Sequence, residues 1–215
     1  LAAVTDRCIR EGLKAREPYA ALEQRVREAL RNEACGLAER LKPLYLEPSP
    51  YQSVLMADCL ERGQDISRGG RYNNYGIHGT GFANAADQLA SVRHFVYDRE
   101  EIDPGRLEEA LESDFETDEV LRLLLRREGP KLGRDAEATP AADFLIDAFA
   151  DAFEGLVNER GGCFRPGTGS AMYYIWHAEA LHATADGRAP GERLSANFSP
   201  SLLTSDGGPL SVVDA

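Results

Sequence analysis

The chain has 215 residues, 43% of them hydrophobic and 28% charged, with a formal net charge of −12 at pH 7. That size and balance fit one large soluble domain or two small ones. The acidity works against nucleic-acid binding, which needs Lys and Arg to neutralise phosphates, and no apolar run approaches the ~18 residues of a membrane span. No basic segment followed by an apolar one opens the chain, so no secretion signal is read, and a start at Leu1 fits a processed or truncated end. Cys8, Cys35, Cys59 and Cys163 form no C-x-x-C pair. They read as reduced thiols of a cytoplasmic protein, neither a zinc site nor a redox couple.

In chain order, residues 18–42 predict a long helix, with Pro18 in its first turn and Leu22, Val26, Ala29 and Leu30 at three- and four-residue spacing. A second helix is expected from Ser49, a candidate N-cap, to a stop at Gly63. Ala83, Ala86, Leu89, Ala90 and Val92 predict a third, running to about Tyr97. Asp103 and Pro104 cap a fourth. Shorter and longer helices follow over 117–127 and 139–158, the last with Phe144, Leu145, Ala148, Phe149, Ala152 and Leu156 on one stripe. Arg122, Arg126 and Arg127 sit among acids and read as a solvated face. Residues 170–178, SAMYYIWHA, are the best strand candidate because aromatic and branched residues fill a run bounded by small ones. Beyond it lie the turn-rich pieces ADGR, APGE, FSPS and SDGGP.

No chemical constellation stands out. Gly69, Gly70, Gly76, Gly79 and Gly81 precede a predicted helix, as glycines do in phosphate cradles. Yet no G-x-x-x-x-G-K-[ST] occurs, and no apolar strand leads into them; close backbone packing is the expected use. His78, His94, His177 and His182 read as isolated hydrogen-bonded histidines, because the five-residue step from His177 to His182 suits neither a helix face nor a strand face. Ser199 lies in no nucleophile elbow. Tyr173, Tyr174 and Trp176 are expected in the core. A chain with many helices and few strands also suggests a sheet completed by polypeptide outside this sequence.

The run DCLERGQDISRGGRYNNYGIHGTGFANAADQLASVRHFVYD resembles a stretch of the pyruvate formate-lyase-like glycyl radical enzymes. Their pattern is D-C-x-x-x-G, then G-G-x-R-Y-N, then G-x-x-x-x-G-x-A-N-x-A-D-S-L-A. Asp58, Cys59, Gly63, Gly69, Gly70, Arg71, Tyr72, Asn73, Gly76, Gly81, Asn84, Asp87 and Leu89 carry the match. KLGRD resembles the family's K-x-G-N-D, and ATADGRAPGERLSANFSPS, with Asp186, Gly187 and Arg188, its A-T-P-D-G-R-x-x-G-x-P-L-x-x-x-x-S-P. The resemblance covers about 45–211 within one partial domain over 1–215. It departs from the pattern by one residue missing before Arg71 and by Arg134 for Asn, Ala185 for Pro and Gln88 for Ser.

The resemblance implies an α/β fold: a helix-rich part of a ten-stranded barrel. It implies a lyase of the formate-lyase/dehydratase class that cleaves a C–C or C–heteroatom bond by thiyl-radical hydrogen abstraction. The family's cysteine loop, G-C-x-E, and radical loop, R-V-x-G-Y, do not occur here. The chain therefore resembles the stretch between them, with GPLSVVDA leading on toward the radical domain. No catalytic residue is assigned within it: Cys59 falls at the D-C position and Cys163 outside the active loop. The chain itself is expected to bind no cofactor or metal, whereas full-length relatives carry a protein glycyl radical. The implied partners are a small organic substrate, an activating enzyme that uses S-adenosylmethionine, and a second subunit in a homodimer. Substrate contacts are expected from the run holding Tyr173, Tyr174 and His177, with Tyr173 and His177 on one face and Tyr174 on the other. The alternative is a non-catalytic remnant or interaction module that keeps part of the barrel.

Overall fold

In the computed structural model, residues 1–204, 212 and 213 are described; the expected SDGGP turn and most of GPLSVVDA lie outside them. The core is built around a helix with no solvent face. Helix α1 (Ala2–Lys14) and α2 (Tyr19–Leu41) pack against each other. Their close approach uses Gly12, where a Cβ would come within 3.2 Å of Leu22. Helix α2 is the long helix expected, with Leu22, Val26, Leu30 and Ala34 inside. Helix α1 is not among the expected elements; its buried face sets Ala2, Cys8, Ile9, Gly12 and Leu13 beside Thr5 and one acid, Asp6.

The helix expected from Ser49 to Gly63 is instead two short ones, α3 (Pro50–Ser53) and α4 (Ala57–Arg62), followed by α5 (Ile66–Gly69). Ser49 does begin α3, but its side chain makes no cap. Asp65 organises the junction: its carboxylate accepts from the Ser49 amide at 2.8 Å, the Ser53 hydroxyl at 2.7 Å and the Ser67 amide at 2.9 Å. Those bonds hold the Asp65 carboxyl down at about 2. Gly63, at φ 60°, ends α4 as expected.

Strand β1 (Tyr75–His78) leads through Gly79–Gly81 into α6 (Phe82–Val92), in which every residue is buried. Helix α6 packs against α1 and against the later helix over Thr139–Ala152. The helix expected to run to Tyr97 changes hydrogen-bonding pattern at Arg93 and finishes as a π-helical segment, Arg93–Asp98. Helix α7 (Pro104–Glu112) is capped as predicted, Asp103 accepting from the Gly105 and Arg106 amides at 2.8 and 3.2 Å.

Helix α8 (Glu119–Glu128) corrects the expectation of a solvated basic face. Arg126 makes a two-pronged pair with Glu192 at 2.8 and 2.7 Å, and Arg122 donates to the Gly187 carbonyl at 3.2 Å. Two of the three arginines thus tether the 184–192 loop, and only Arg127 is exposed. A 3-10 turn (Ala136–Ala138) precedes α9 (Thr139–Ala152), whose Leu145, Ala148 and Ala152 are buried as the stripe predicts. The helix ends six residues before the expected 158, and Gly155 at φ 73° turns the chain.

Strand β2 (Phe164–Gly167) pairs with β1 in parallel, Tyr75 opposite Phe164 and His78 opposite Gly167. Neither strand was legible, because four residues interrupted by Gly76, Pro166 or Gly167 show no alternation. The strand expected over 170–178 is helix α10 (Tyr173–Glu179) after a turn. Only one β-branched residue, Ile175, lies in that run. Tyr174 and Ala178 face a small cluster with Ala2, Leu181 and Leu194 at helical spacing.

The loop before β1 and the turn before β2 cross in near contact. A Cβ on Gly162 would lie 2.1 Å from the Asn73 carbonyl oxygen, with the Asn158 side-chain Nδ2 donating to that same oxygen at 2.6 Å. Gly162→Ala is expected to lower stability by about 1–3 kcal/mol through overpacking against backbone, measurable as a shift in the urea midpoint.

Candidate functional site

Two groups of polar side chains stand out, one sealed and one open. The sealed group begins on α6, where Asn84, Asp87, Gln88 and Ser91 recur on one helical stripe and are all buried. Asn84 donates to Asp186 at 3.0 Å and accepts from the Ser195 amide at 2.8 Å. Asp87 accepts from the Leu132 amide at 2.7 Å. Burial pushes its carboxyl up to about 7, against a smaller opposing pull from Lys131.

Arg188, fully buried, donates to the carbonyls of Leu181, His182, Ala189 and Glu192 and to the Thr184 hydroxyl. Asp186 accepts from the Thr184 hydroxyl at 2.5 Å and the Arg188 amide at 3.3 Å. Gly187, at φ 84°, lies where a Cβ would meet the Arg126 amide nitrogen at 2.4 Å. Asn84, Asp186, Gly187 and Arg188 therefore form an internal scaffold that pins the 181–195 loop onto α6 and α8, while Asp87 ties α6 to Leu132.

The other motif residues hold the loop before β1. Gly69 leaves no room for a side chain, since its Cβ would lie 2.7 Å from the Gln64 carbonyl and 2.9 Å from the Cys59 sulfur. Asn73 donates to the Gly70 and Arg68 carbonyls. The Arg71 amide donates to Asp58, and Tyr72 is exposed. Of the glycines before α6, Gly79 and Gly81 allow close packing as Gly69 does, a Cβ on Gly79 coming 2.6 Å from Leu1, whereas one on Gly76 would meet only His78 at 3.8 Å. A Cβ on Gly81 would come 2.9 Å from Ala2 and 3.2 Å from Leu194, so those residues close the N-terminus of α6.

The open group lies at the C-terminal ends of the two parallel strands, where α/β folds place ligands. A pocket of about 370 Å³ is lined there by His78, Thr80, Ser170, Tyr173, His177 and Asn197, with Gly169 and Ala171. His78 ends β1 and Thr80 follows it; Gly169 and Ser170 follow β2. The Asn197 carboxamide oxygen accepts from the Ser170 amide at 2.9 Å, and the Ser170 hydroxyl accepts from the Asn197 amide at 3.0 Å. These bonds hold Ala171 and Asn197 in left-handed conformations, φ 43° and 54°.

The first turn of α10 sets Tyr173 and His177 side by side, with ring centroids 5.6 Å apart. Both line the pocket, while Tyr174 turns into the Ala178–Leu181–Leu194 cluster. The face shared by Tyr173 and His177 thus comes from helical spacing of four, not from strand alternation. His78 and His177, treated separately in the sequence, meet in this pocket. His182 does not: it pairs with Asp114 at 2.9 Å. Cys59 is buried beside Gly69, and Cys163 donates to the Asn74 side chain through its amide and thiol at 3.0 and 3.3 Å. Among the described residues no group of three or more His, Cys, Asp or Glu is placed to hold a metal, and no helix is long and apolar enough to cross a membrane.

Residues 44–177 match the family model described as pyruvate formate lyase-like. Among characterised relatives, the chain is 30% identical over 168 residues to the trans-4-hydroxy-L-proline dehydratase of Clostridioides difficile, covering 77% of this chain and 21% of that one. It is 29% identical over 166 residues to the (2S)-3-sulfopropanediol dehydratase of Klebsiella oxytoca, covering 76% and 20%. In fold it superposes on the glycerol-bound B12-independent glycerol dehydratase of Clostridium butyricum with a TM-score of 0.81 at 24% identity, over 93% of this chain and 28% of the other. The chain spans roughly a fifth of the length of these dehydratase relatives. With the motif residues, the family model and the barrel fold in agreement, the chain belongs to the pyruvate formate lyase-like family of glycyl radical enzymes.

Proposed function

We propose that the chain is one part of a glycyl radical lyase of the dehydratase type, and that its strand-end pocket is its share of the substrate cavity. The observation that carries this reading is the pocket itself. Two parallel strands end at it, and Tyr173 and His177 present a phenol and an imidazole to one space. The radical loops of the whole enzyme supply hydrogen abstraction from substrate. The residues of this chain bind and orient. Tyr173 and His177 offer hydrogen bonds to a small organic molecule, and Ser170 with Asn197 fixes the turn that aims them. The buried bonds of Asn84, Asp186 and Arg188 fix the 181–195 loop that leads to Asn197. On this reading the whole protein works in the cytoplasm as a homodimer, activated by an enzyme that uses S-adenosylmethionine.

Sequencing the gene outward from both ends of this segment tests the reading. A G-C-x-E tetrapeptide upstream and R-V-x-G-Y downstream are expected. An open reading frame lacking both would remove radical chemistry and leave the interaction-module reading.

That second reading draws on the stretch 44–72, where Leu44, Tyr45, Tyr51, Val54, Leu55, Leu60 and Tyr72 are all exposed. Such a patch on a free surface favours association. The 215-residue species produced alone is expected to self-associate and bind a hydrophobic dye. A clean monomer in sedimentation that binds none would show that the patch needs no cover.

A further inference from the structure

A hydrogen-bonding side chain serves a pocket only where its surroundings hold it in place. Of the four histidines, His94 and His182 are held by carboxylates, whereas among the described residues His78 and His177 make no hydrogen bond to protein. His177 lies against Tyr173, one helical turn before it. His78 is placed by shape. Resting on the reading of the strand-end pocket as substrate cavity, we propose that Gly169 is a positioning residue of that pocket. It holds no ligand itself; its missing side chain lets the His78 imidazole stand where it can.

Three observations carry this. First, the ring occupies the space of the absent side chain. A Cβ on Gly169 would lie 2.9 Å from His78 Nδ1, 3.1 Å from its Cε1 and 3.9 Å from its Cγ, the nearest atoms beyond its own chain neighbours. At Gly69, Gly162 and Gly187 a Cβ would instead strike backbone. Those glycines serve the packing of the chain, whereas Gly169 is kept open for one side chain.

Second, the backbone at residue 169 does not itself require glycine, since it is not among the positions at positive φ. Alanine suits it in every respect but the ring.

Third, the backbone is fixed on both sides of the clash. Ser170 is bound to Asn197 through its amide at 2.9 Å and its hydroxyl at 3.0 Å, and the Gly79 amide donates to the Gly167 carbonyl at 2.8 Å. Relief must therefore come from the ring, which would move by about half an ångström or leave for another rotamer. Either change takes an ordinary hydrogen bond from His78 to a ligand to its limit of length. These contacts all lie within this chain, so polypeptide that completes the cavity leaves them as they are.

A double-mutant cycle separates this role from that of a merely structural glycine. Wild type, Gly169→Ala, His78→Ala and the double variant would be compared in the unactivated full-length protein. The probes are 1,2-propanediol, lactate and 1-amino-2-propanol, one neutral, one anionic and one cationic, each titrated calorimetrically. The probe that wild type binds best is carried through the cycle. Each single variant is expected to weaken it about fivefold, the worth of one hydrogen bond of about 1 kcal/mol. The double variant should be no weaker than His78→Ala, because the new methyl group then has no ring to displace. Equal melting temperatures are expected throughout.

Losses that multiply to about 25-fold in the double variant would overturn the positioning role and leave the cavity reading standing. So would full affinity in Gly169→Ala beside a weakened His78→Ala, or a melting temperature that Gly169→Ala lowers in both backgrounds. Full affinity in His78→Ala, or no binding by any probe, would overturn the cavity reading and the proposal with it.

Discussion

Arg188→Met is expected to cost about 3–5 kcal/mol of stability, as removing one partner from a buried, hydrogen-bonded charge does. The guanidinium is fully enclosed and donates to the carbonyls of Leu181, His182, Ala189 and Glu192 as well as to the Thr184 hydroxyl. Methionine fills much of the same volume but offers no donor, so those acceptors are stranded away from water. Asp186 also loses the cation beside it. Lysine keeps the charge but has three donors on a point-like head, and it cannot reproduce the planar fork. Arg188→Lys should therefore fall between wild type and the methionine variant. Urea denaturation of the three proteins measures the order, and a loss below about 1 kcal/mol for Arg188→Met, the size of a surface ion pair, would show that the loop holds without its arginine.

A second large effect is a pH dependence that Asp87→Asn removes. Burial raises the Asp87 carboxyl from 3.8 to about 7, the field of Lys131 only partly opposing it. Between those values the folded chain holds a proton that the unfolded chain has released. The contribution to stability is complete below the unfolded value and is lost as pH rises through the folded one. A rise of about three units corresponds to a loss of order 4 kcal/mol at 1.36 kcal/mol per unit.

Asparagine keeps an oxygen to accept from the Leu132 amide and carries no charge to desolvate. The variant should thus lose less stability than wild type on going from pH 4 to pH 7. Asp65, Asp103 and Asp118 are held below their ordinary values by hydrogen bonds, and their contribution fades as pH falls. Because they are common to both proteins, the difference between the two pH profiles isolates Asp87. Parallel profiles from pH 4 to pH 7 would contradict the assignment.

What could be read in the sequence divides along a physical line. Helix α7 is announced by Asp103–Pro104, α2 by Leu22, Val26 and Leu30, and α9 by its stripe; each signal is local and repeats at the helical period. The residues SAMYYIWHA deceived because aromatics are common in strands. The four-residue step that pairs Tyr173 with His177 and Tyr174 with Ala178 is equally a helical pattern. Strands β1 and β2 were invisible because each is four residues long and is stabilised by the other across nearly ninety positions of chain.

That same distance explains the site. Tyr173 and His177 could be named from one local run. His78, Thr80 and Asn197 join them only once the parallel pairing sets the ends of β1 and β2 side by side. The motif residues known by resemblance gain a physical role in the structure. Asn84, Asp186 and Arg188 are buried and hold one loop, Asp87 is buried against Leu132, and Gly69 and Gly187 stand where no side chain fits.

The most direct test of the strand-end pocket uses the full-length protein, activated without oxygen and carrying His177→Ala or Tyr173→Ala. The glycyl radical would be quantified by electron paramagnetic resonance before turnover is followed. Radical content equal to wild type with kcat/KM at least about tenfold lower is expected, a loss of about 1.4 kcal/mol of transition-state stabilisation. Equal radical content with unchanged turnover in both variants would mean that this pocket does not face the substrate.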